Sequence, residues 1–358
     1  MTYTKHKRVF LISNMYPSSK NVRYGIFVKN FENAIQKDFV VKKIVITKKN
    51  GTIDKAMAYF ILYFKILLLI TKAKRKDIIY VHFPLHVAPA LSLLMLIQKK
   101  IILNFHGSDL IFETRLKKFL SIFLIPLLKK SNTVVPSVYF KERLINDFNV
   151  HISKVFVYPS GGINGKIFFK WERVNDKIFT IGYISNFIKE KGWLLLLEAV
   201  KTIERQELIE NLRIIMIGDG PDKIDIENMV STLKTKVTIL SNVEQKNLVN
   251  YYNQFDVFVF PTYREAESLG LVGLEAMACG IPVIAGKVGG PMGYIKNGYN
   301  GYLFAKKDSG ELTKQIMRVF KLTHAERTNM SLNCITTASN YDSQKVNEEL
   351  LHYLNNFN

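Results

Sequence analysis

The stretch FVFPTYREAESLGLVGLEAMACGIPVIAGKVGG, Phe258 to Gly290, decides how this chain is read. It sets two glutamates, Glu267 and Glu275, eight positions apart among Gly270, Gly273, Gly280, Gly289 and Gly290. The run from Asp256 to Pro261 is mostly apolar and β-branched or aromatic, which predicts a buried strand of a parallel sheet. Leu269 to Cys279 reads as a helix that Gly280 and Pro282 stop. A strand, a loop and a helix start in that order turn free N–H groups and the positive end of the helix dipole toward an anion. Eight helical residues span about 12 Å, roughly the reach of a sugar diphosphate lying at the helix tip. One carboxylate is then placed for a sugar hydroxyl and the other for a ribose.

Around that stretch, strand and helix signals alternate. Arg8–Ser13, Val40–Thr47, Ile78–His82, Ile101–Phe105 and Thr133–Val135 read as strands, with helices over Phe27–Gln36, Ala56–Ile70, His86–Lys99 and Leu116–Lys130 between them. Tyr158–Gly165, YPSGGING, interrupts the alternation and reads as a linker. Strands resume at Phe179–Ile184, Arg213–Ile217, Val237–Leu240 and Val257–Phe260, with a helix over Gly192–Glu204. The expectation is an α/β chain of two doubly wound, Rossmann-like domains, residues 1–160 and 161–340. Ligands of such sheets bind at the C-terminal ends of the strands, so a cleft between the two domains is expected.

The 358 residues suffice for two cores, and the net charge of +20 is unevenly spread. Residues 1–160 carry 27 Lys and Arg against 8 Asp and Glu, and residues 161–358 carry 23 against 22. One domain is therefore built to meet an anionic surface, for which nucleic acid and anionic lipid are the usual candidates. No nucleic-acid recognition module accompanies the charge. Apolar stretches flanked by lysine favour a membrane surface: AMAYFILYFKILLLI at 56–70, followed by KAKRK at 72–76, and LKKFLSIFLIPLLKK at 116–130. Neither holds the roughly 20 uninterrupted apolar residues of a bilayer span. Leu116–Lys130 is expected as an in-plane anchor, and Ala56–Ile70 mostly as core. Cys279 and Cys334 give neither a disulfide framework nor a metal site, and no secretory signal is read in MTYTKHKRVFLIS. A cytoplasmic protein, peripheral on the inner face of the plasma membrane, is expected.

The quoted stretch resembles the signature of the retaining family-4 glycosyltransferases, also called glycosyl transferases group 1, which have the GT-B fold. Phe260, Pro261, Glu267, Gly270, Leu271, Glu275, Ala276, Met277, Ala278, Gly280, Pro282 and Val283 match it position for position. The resemblance implies that Glu275 holds ribose hydroxyls and that Glu267 meets the hydroxyls of the donor sugar. It also implies that Ser268 and the Gly270 and Leu271 backbone lie at the diphosphate. His106, in His106-Gly107-Ser108-Asp109 after the fourth strand, resembles the family's histidine beside the sugar. In IGYISNFIKEKG, 181–192, Lys191 stands at the diphosphate-binding lysine, and Asn186 stands where the family has arginine. Asn cannot replace a bidentate guanidinium charge, and Lys189 is a candidate substitute.

Gly218, opening Gly-Asp-Gly-Pro at 218–221, resembles the loop beside the base, and Asn242–Gln245 corresponds to a segment near it. In the first loop, Met15–Val28, relatives carry paired glycines and this chain has Gly25 alone. The last helix, within 341–358, is implied to return to the first domain. No Asp-x-Asp motif is read, so no metal and no cofactor is expected beyond the nucleoside diphosphate sugar itself. His82 and His86 flank a proline-containing turn and carry no motif.

These features imply transfer of a hexose from a nucleoside diphosphate donor, UDP-linked, to a saccharide or lipid-linked acceptor in bacterial capsule, exopolysaccharide or lipopolysaccharide synthesis. Asn186 motivates a rival, a catalytically weak accessory subunit. An epimerase on the same fold lacks support, because the glutamate pair belongs to the transferases.

Overall fold

The computed structural model describes residues 7–22, 24–95, 100–172, 178–241 and 243–357. Contacts divide the chain into two units, residues 1–161 with 346–358, and residues 162–345.

Unit 1 runs β1 (Arg8–Tyr16), α1 (Ile26–Ile35), β2 (Val40–Thr47), α2 (Thr52–Leu67), α3 (Leu69–Lys72), β3 (Ile78–His82), α4 (Ala88–Met95), β4 (Ile101–Asn104), α5 (Arg115–Lys130), β5 (Asn132–Val135), α6 (Val138–Phe148) and β6 (Val155–Val157). The six strands pair in parallel in the order β2-β1-β3-β4-β5-β6. Alternate β1 residues serve opposite faces: Phe10 and Ile12 enter one core with α2, α4 and α5, and Val9 and Leu11 enter another with α1. Helices on both faces are why β3 and β4 are buried at every position.

Unit 2 runs β7 (Phe179–Ile184), α7 (Trp193–Arg205), β8 (Leu212–Ile217), α8 (Lys223–Val230), β9 (Lys236–Leu240), α9 (Val249–Tyr252), β10 (Val257–Phe260), α10 (Leu271–Ala278), β11 (Val283–Gly286), β12 (Gly301–Phe304), α11 (Ser309–Phe320) and α12 (His324–Ser339). Its sheet, also six-stranded and parallel, has the order β12-β11-β10-β7-β8-β9. The Asp308 side chain caps α11, and Thr323 with Glu326 forms a capping box on α12. A last helix, α13 (Ser343–Asn355), buries Val346, Leu350 and Leu354 in the core of unit 1, beside Val9, Leu11 and Tyr80.

Several expectations are corrected. The helix read from Leu269 begins at Leu271, so Glu267 precedes it and helical rise does not measure its distance from Glu275. The helix read from His86 begins at Ala88, after a single 3₁₀ turn, and residues 96–99 lie outside the described residues. The largest correction concerns Ala56–Ile70. In α2 only Leu62 and Ile66 are buried, whereas Ile53, Met57, Phe60, Ile61 and Phe64 are exposed. A helix resting on the edge of a layer buries one stripe, and this sequence is apolar all round, so the outer stripe faces outward.

Candidate active site

The candidate residues fall in both units. Gly25 and His106 belong to unit 1, and Asn186, Lys191, Gly218, Glu267, Ser268, Gly270, Leu271 and Glu275 belong to unit 2.

The strand order of unit 2 fixes where its ligand crevice lies. The chain builds β7, β8 and β9 in one direction, then returns to β10 and builds β11 and β12 in the other. The topological switch point is between β7 and β10, and open α/β sheets bind ligands beyond the strand ends there. The loop after β7 brings Lys191 to that point and the loop after β10 brings Glu267. Lys191 Nζ lies 2.5 Å from Glu267 Oε2, with the two side chains 12% and 10% exposed. Thr262 Oγ1 lies 3.3 Å from the same carboxylate oxygen, and Phe260 lies under the ammonium, 5.4 Å away. The two loops are also joined at the Glu190 carbonyl, which accepts from Tyr263 N (3.0 Å) and Thr262 Oγ1 (3.2 Å).

Glycine pairs let the backbones close around Glu267. Gly290 N donates to the Glu267 carbonyl at 2.9 Å. A Cβ on Gly290 would stand 2.4 Å from Ser268 O, and one on Gly289 would stand 2.6 Å from Glu267 O. Gly270 has φ 77° and starts α10, and its carbonyl accepts from Tyr294 Oη at 3.0 Å. Of the first-turn amides of α10, Gly273 N donates to the Gly270 carbonyl at 2.9 Å, and Leu271 N and Val272 N have no protein partner among the described residues.

Glu275 is buried on α10. Tyr252 Oη donates to its Oε2 at 3.0 Å, and the exposed Gln245 donates through Nε2 to Oε1 at 2.7 Å. Burial raises its pKa above the ordinary carboxylate range, against the opposing pull of those two hydrogen bonds. Gln245 lies on the surface and is the partner a ligand hydroxyl can displace; Asn242 lies outside the described residues. Gly218 has a packing reason of its own, since a Cβ there would meet Ser185 O at 1.9 Å. Asn186 is exposed, and among the described residues its side chain has no hydrogen-bond partner.

In unit 1 the corresponding switch point is between β1 and β3. Gly25, with φ 74°, starts α1, and a Cβ there would meet the Met15 carbonyl carbon at 2.6 Å. Phe27 on α1 then lies 4.5 Å from the His106 ring, and Phe83 stacks on it at 4.5 Å. His82, at the end of β3, is fully buried behind it. Asn104 Nδ2 donates to Tyr80 Oη at 2.9 Å and lies 3.3 Å from His82 Nδ1. His82 Nδ1 and His106 Nε2 lie 2.9 Å apart, so one ring nitrogen donates to the other and ties the two histidines together. Burial pushes the His106 pKa down to about 3, so the ring is neutral near pH 7 and has no acidic proton to deliver.

With this geometry in place, the comparisons become informative. Residues 165–337 match the family described as Glycosyl transferases group 1. An uncharacterized glycosyltransferase of Methanocaldococcus jannaschii is 24% identical over 324 residues, covering 88% of this chain and 85% of that protein. The capsular polysaccharide biosynthesis glycosyltransferase CapM of Staphylococcus aureus is 26% identical over 241 residues, covering 63% and 62%. The fold is that of the Anabaena protein HepE in complex with UDP, with TM-score 0.74 and 16% identity over 97% of this chain and 99% of that one. Residues 165–337 of this glycosyltransferase carry the group 1 match, and the fold is GT-B.

Sequence reading of this glycosyltransferase missed Thr262, Tyr252, Tyr294 and His82. Thr262 directly follows Phe-Pro in the quoted stretch, and His82 ends a wholly apolar strand one place from the sheet's switch point; these were the available signals. Among the described residues no three His, Cys, Asp or Glu side chains form a metal-binding group.

Asp109 gives the glycosyltransferase a pH signature. Its Oδ1 accepts from His106 N at 2.9 Å, and its Oδ2 is buried without a partner. Burial raises its pKa from 3.8 to about 7, against the backbone hydrogen bonds and Lys117 that oppose the shift. The folded state holds this proton more tightly than the unfolded state does. Asp109 therefore costs stability as pH rises from about 4 to about 7, and the loss levels off above. Thermal unfolding of wild type and Asp109→Asn across pH 4–8 tests this. The wild type should lose stability relative to the variant over that window, and parallel curves would refute the assignment.

Proposed function

We propose that the protein is a retaining glycosyltransferase that moves a hexose from a UDP-linked donor to a saccharide or lipid-linked saccharide acceptor in bacterial surface polysaccharide synthesis. The observation that carries this reading is the Lys191–Glu267 pair at the switch point of unit 2, beside the N-terminus of α10, which no side chain caps. Lys191 and the Gly270 and Leu271 amides meet the diphosphate and stabilise it as it leaves, without a metal ion. Glu267 takes the sugar hydroxyls, and Ser268 lies beside the phosphates. Glu275 takes the ribose hydroxyls after Gln245 yields Oε1. Gly218 keeps its loop open for the base, and Gly25 serves the loop that approaches acceptor and phosphates. Neutral His106 supports the transferring sugar as a dipole and not as an acid. The acceptor attacks from the face the leaving group departs, with a phosphate oxygen as its base. UDP in the HepE complex and the capsular role in the CapM name support nucleotide and pathway.

A second reading follows from Asn186, which supplies no charge where the family carries arginine. On that reading the chain binds a nucleotide sugar or a partner enzyme as an accessory subunit and transfers poorly. Calorimetric titration of UDP, GDP and ADP into wild type and Glu275→Ala separates the two. UDP binding that weakens about tenfold to a hundredfold in the variant supports the transferase. A folded wild type that binds no nucleotide favours the accessory subunit.

A further inference from the structure

Helices α2, α4 and α5 cover one face of the unit 1 sheet, with α4 packed against both neighbours. Each outer helix carries two apolar stripes. On α2 the inner stripe is Leu62 and Ile66, and the outer is Ile53, Met57, Phe60, Ile61 and Phe64. Positions 53, 57, 60 and 64 recur at helical spacing, so they share one face, and Ile53 and Phe60 are 82% and 71% exposed. On α5, Leu120, Leu124, Leu127 and Leu128 turn inward while Leu116, Phe119, Ile122 and Ile125 are exposed. The inner stripes already complete the core. The outer ones leave nine large apolar side chains exposed on two helices of one layer, and clustered exposed apolar residues mark interaction sites.

The charges around this surface decide its occupant. Segments 52–76 and 115–130 hold eleven Lys and Arg and a single acid, Asp54. A second copy of the same face would set cations against cations. Among the described residues no helix is long and apolar enough to cross a membrane.

We propose that α2 and α5 lie in the plane of an anionic bilayer. Their outer stripes enter the boundary between headgroups and acyl chains, and the flanking lysines meet lipid phosphates. The α2 stripe, and not α5 alone, forms the contact. Lys117 is not part of it, because its Nζ donates to the Ser108 and Ile111 carbonyls and holds the loop before α5.

The test is co-sedimentation of the full chain with vesicles of phosphatidylcholine alone or mixed with phosphatidylglycerol. Wild type should pellet with the mixed vesicles and leave them as salt rises. Lys118→Gln with Lys129→Gln and Lys130→Gln should lower partition about a hundredfold. Phe60→Ser with Phe64→Ser should lower it about tenfold per side chain. Both variants alter exposed positions, so circular dichroism and UDP binding should match wild type. Phe119→Ser is the substitute should the α2 variant misfold. Equal binding to both vesicle types overturns the proposal, as does full binding by the α2 variant. A wild type that ignores vesicles but forms a dimer that Phe60→Ser dissociates overturns it as well. Vesicle partition is read without any transfer assay, so its failure is distinguishable from failure of the donor reading.

Discussion

Lys191→Met will lower sugar transfer by about 10²–10³-fold and weaken UDP by about tenfold to a hundredfold, because the proposed donor's diphosphate loses the cation assigned to it. Glu267→Gln will lower transfer to a similar degree but leave UDP binding intact or tighter. The difference follows from the pair's geometry. In the free protein Lys191 and Glu267 neutralise each other at 2.5 Å with both side chains largely buried. A diphosphate has to share the ammonium with the carboxylate, and removing the carboxylate's charge frees the lysine for the phosphates. Stability should respond in both variants, by at most about 3–5 kcal/mol, since each leaves a poorly solvated charge without its partner. Kinetics, UDP calorimetry and melting on the two single variants and the double variant give the coupling directly. Wild-type UDP affinity in Lys191→Met would assign the lysine to structure alone. Undiminished transfer in Glu267→Gln would reduce the glutamate to a counter-ion.

What the sequence made legible was local and repetitive. Parallel strands covered on both faces are short apolar runs, and Val257–Phe260 announces itself because nothing polar fits there. The sixth strand of unit 1, Val155–Val157, was not read, because three residues are too few to show a pattern. The glutamate pair was legible because it sits in a dense run of glycines. Its counter-charge was visible only through resemblance, since Lys191 is 76 positions from Glu267 and no periodicity links them. Tyr252 and Gln245 reach Glu275 through tertiary packing, which leaves no local signature. The α2 stripe was misread for a different reason. A helix apolar on both its inner and its outer face has the composition of a wholly buried helix, and only exposure separates them.

Gly192→Ala is expected to be strongly destabilising, and the reason lies in how the crevice is built. Gly192 has φ 74° and starts α7 directly after Lys191. A Cβ there would stand 2.0 Å from Pro261 O and 2.7 Å from its carbonyl carbon. The obstacle is backbone at the end of β10, so no side chain can turn aside to relieve it. The loops after β7 and β10 would have to part, and with them Lys191 and Glu267. Left-handed backbone alone costs alanine about 1–2 kcal/mol, and a forced separation of packed strand ends brings the total to about 4 kcal/mol or more. Gly298→Ala supplies the control. It has φ 75°, and nothing lies within 4 Å of its Cβ position, so only the conformational cost of about 1–2 kcal/mol applies. Denaturant unfolding of the two variants should differ by at least about 2 kcal/mol, with the Gly192 variant also losing nucleotide binding. Equal destabilisation would mean that the two loops yield without cost, and that the close approach at Pro261 is not what holds the lysine against the glutamate.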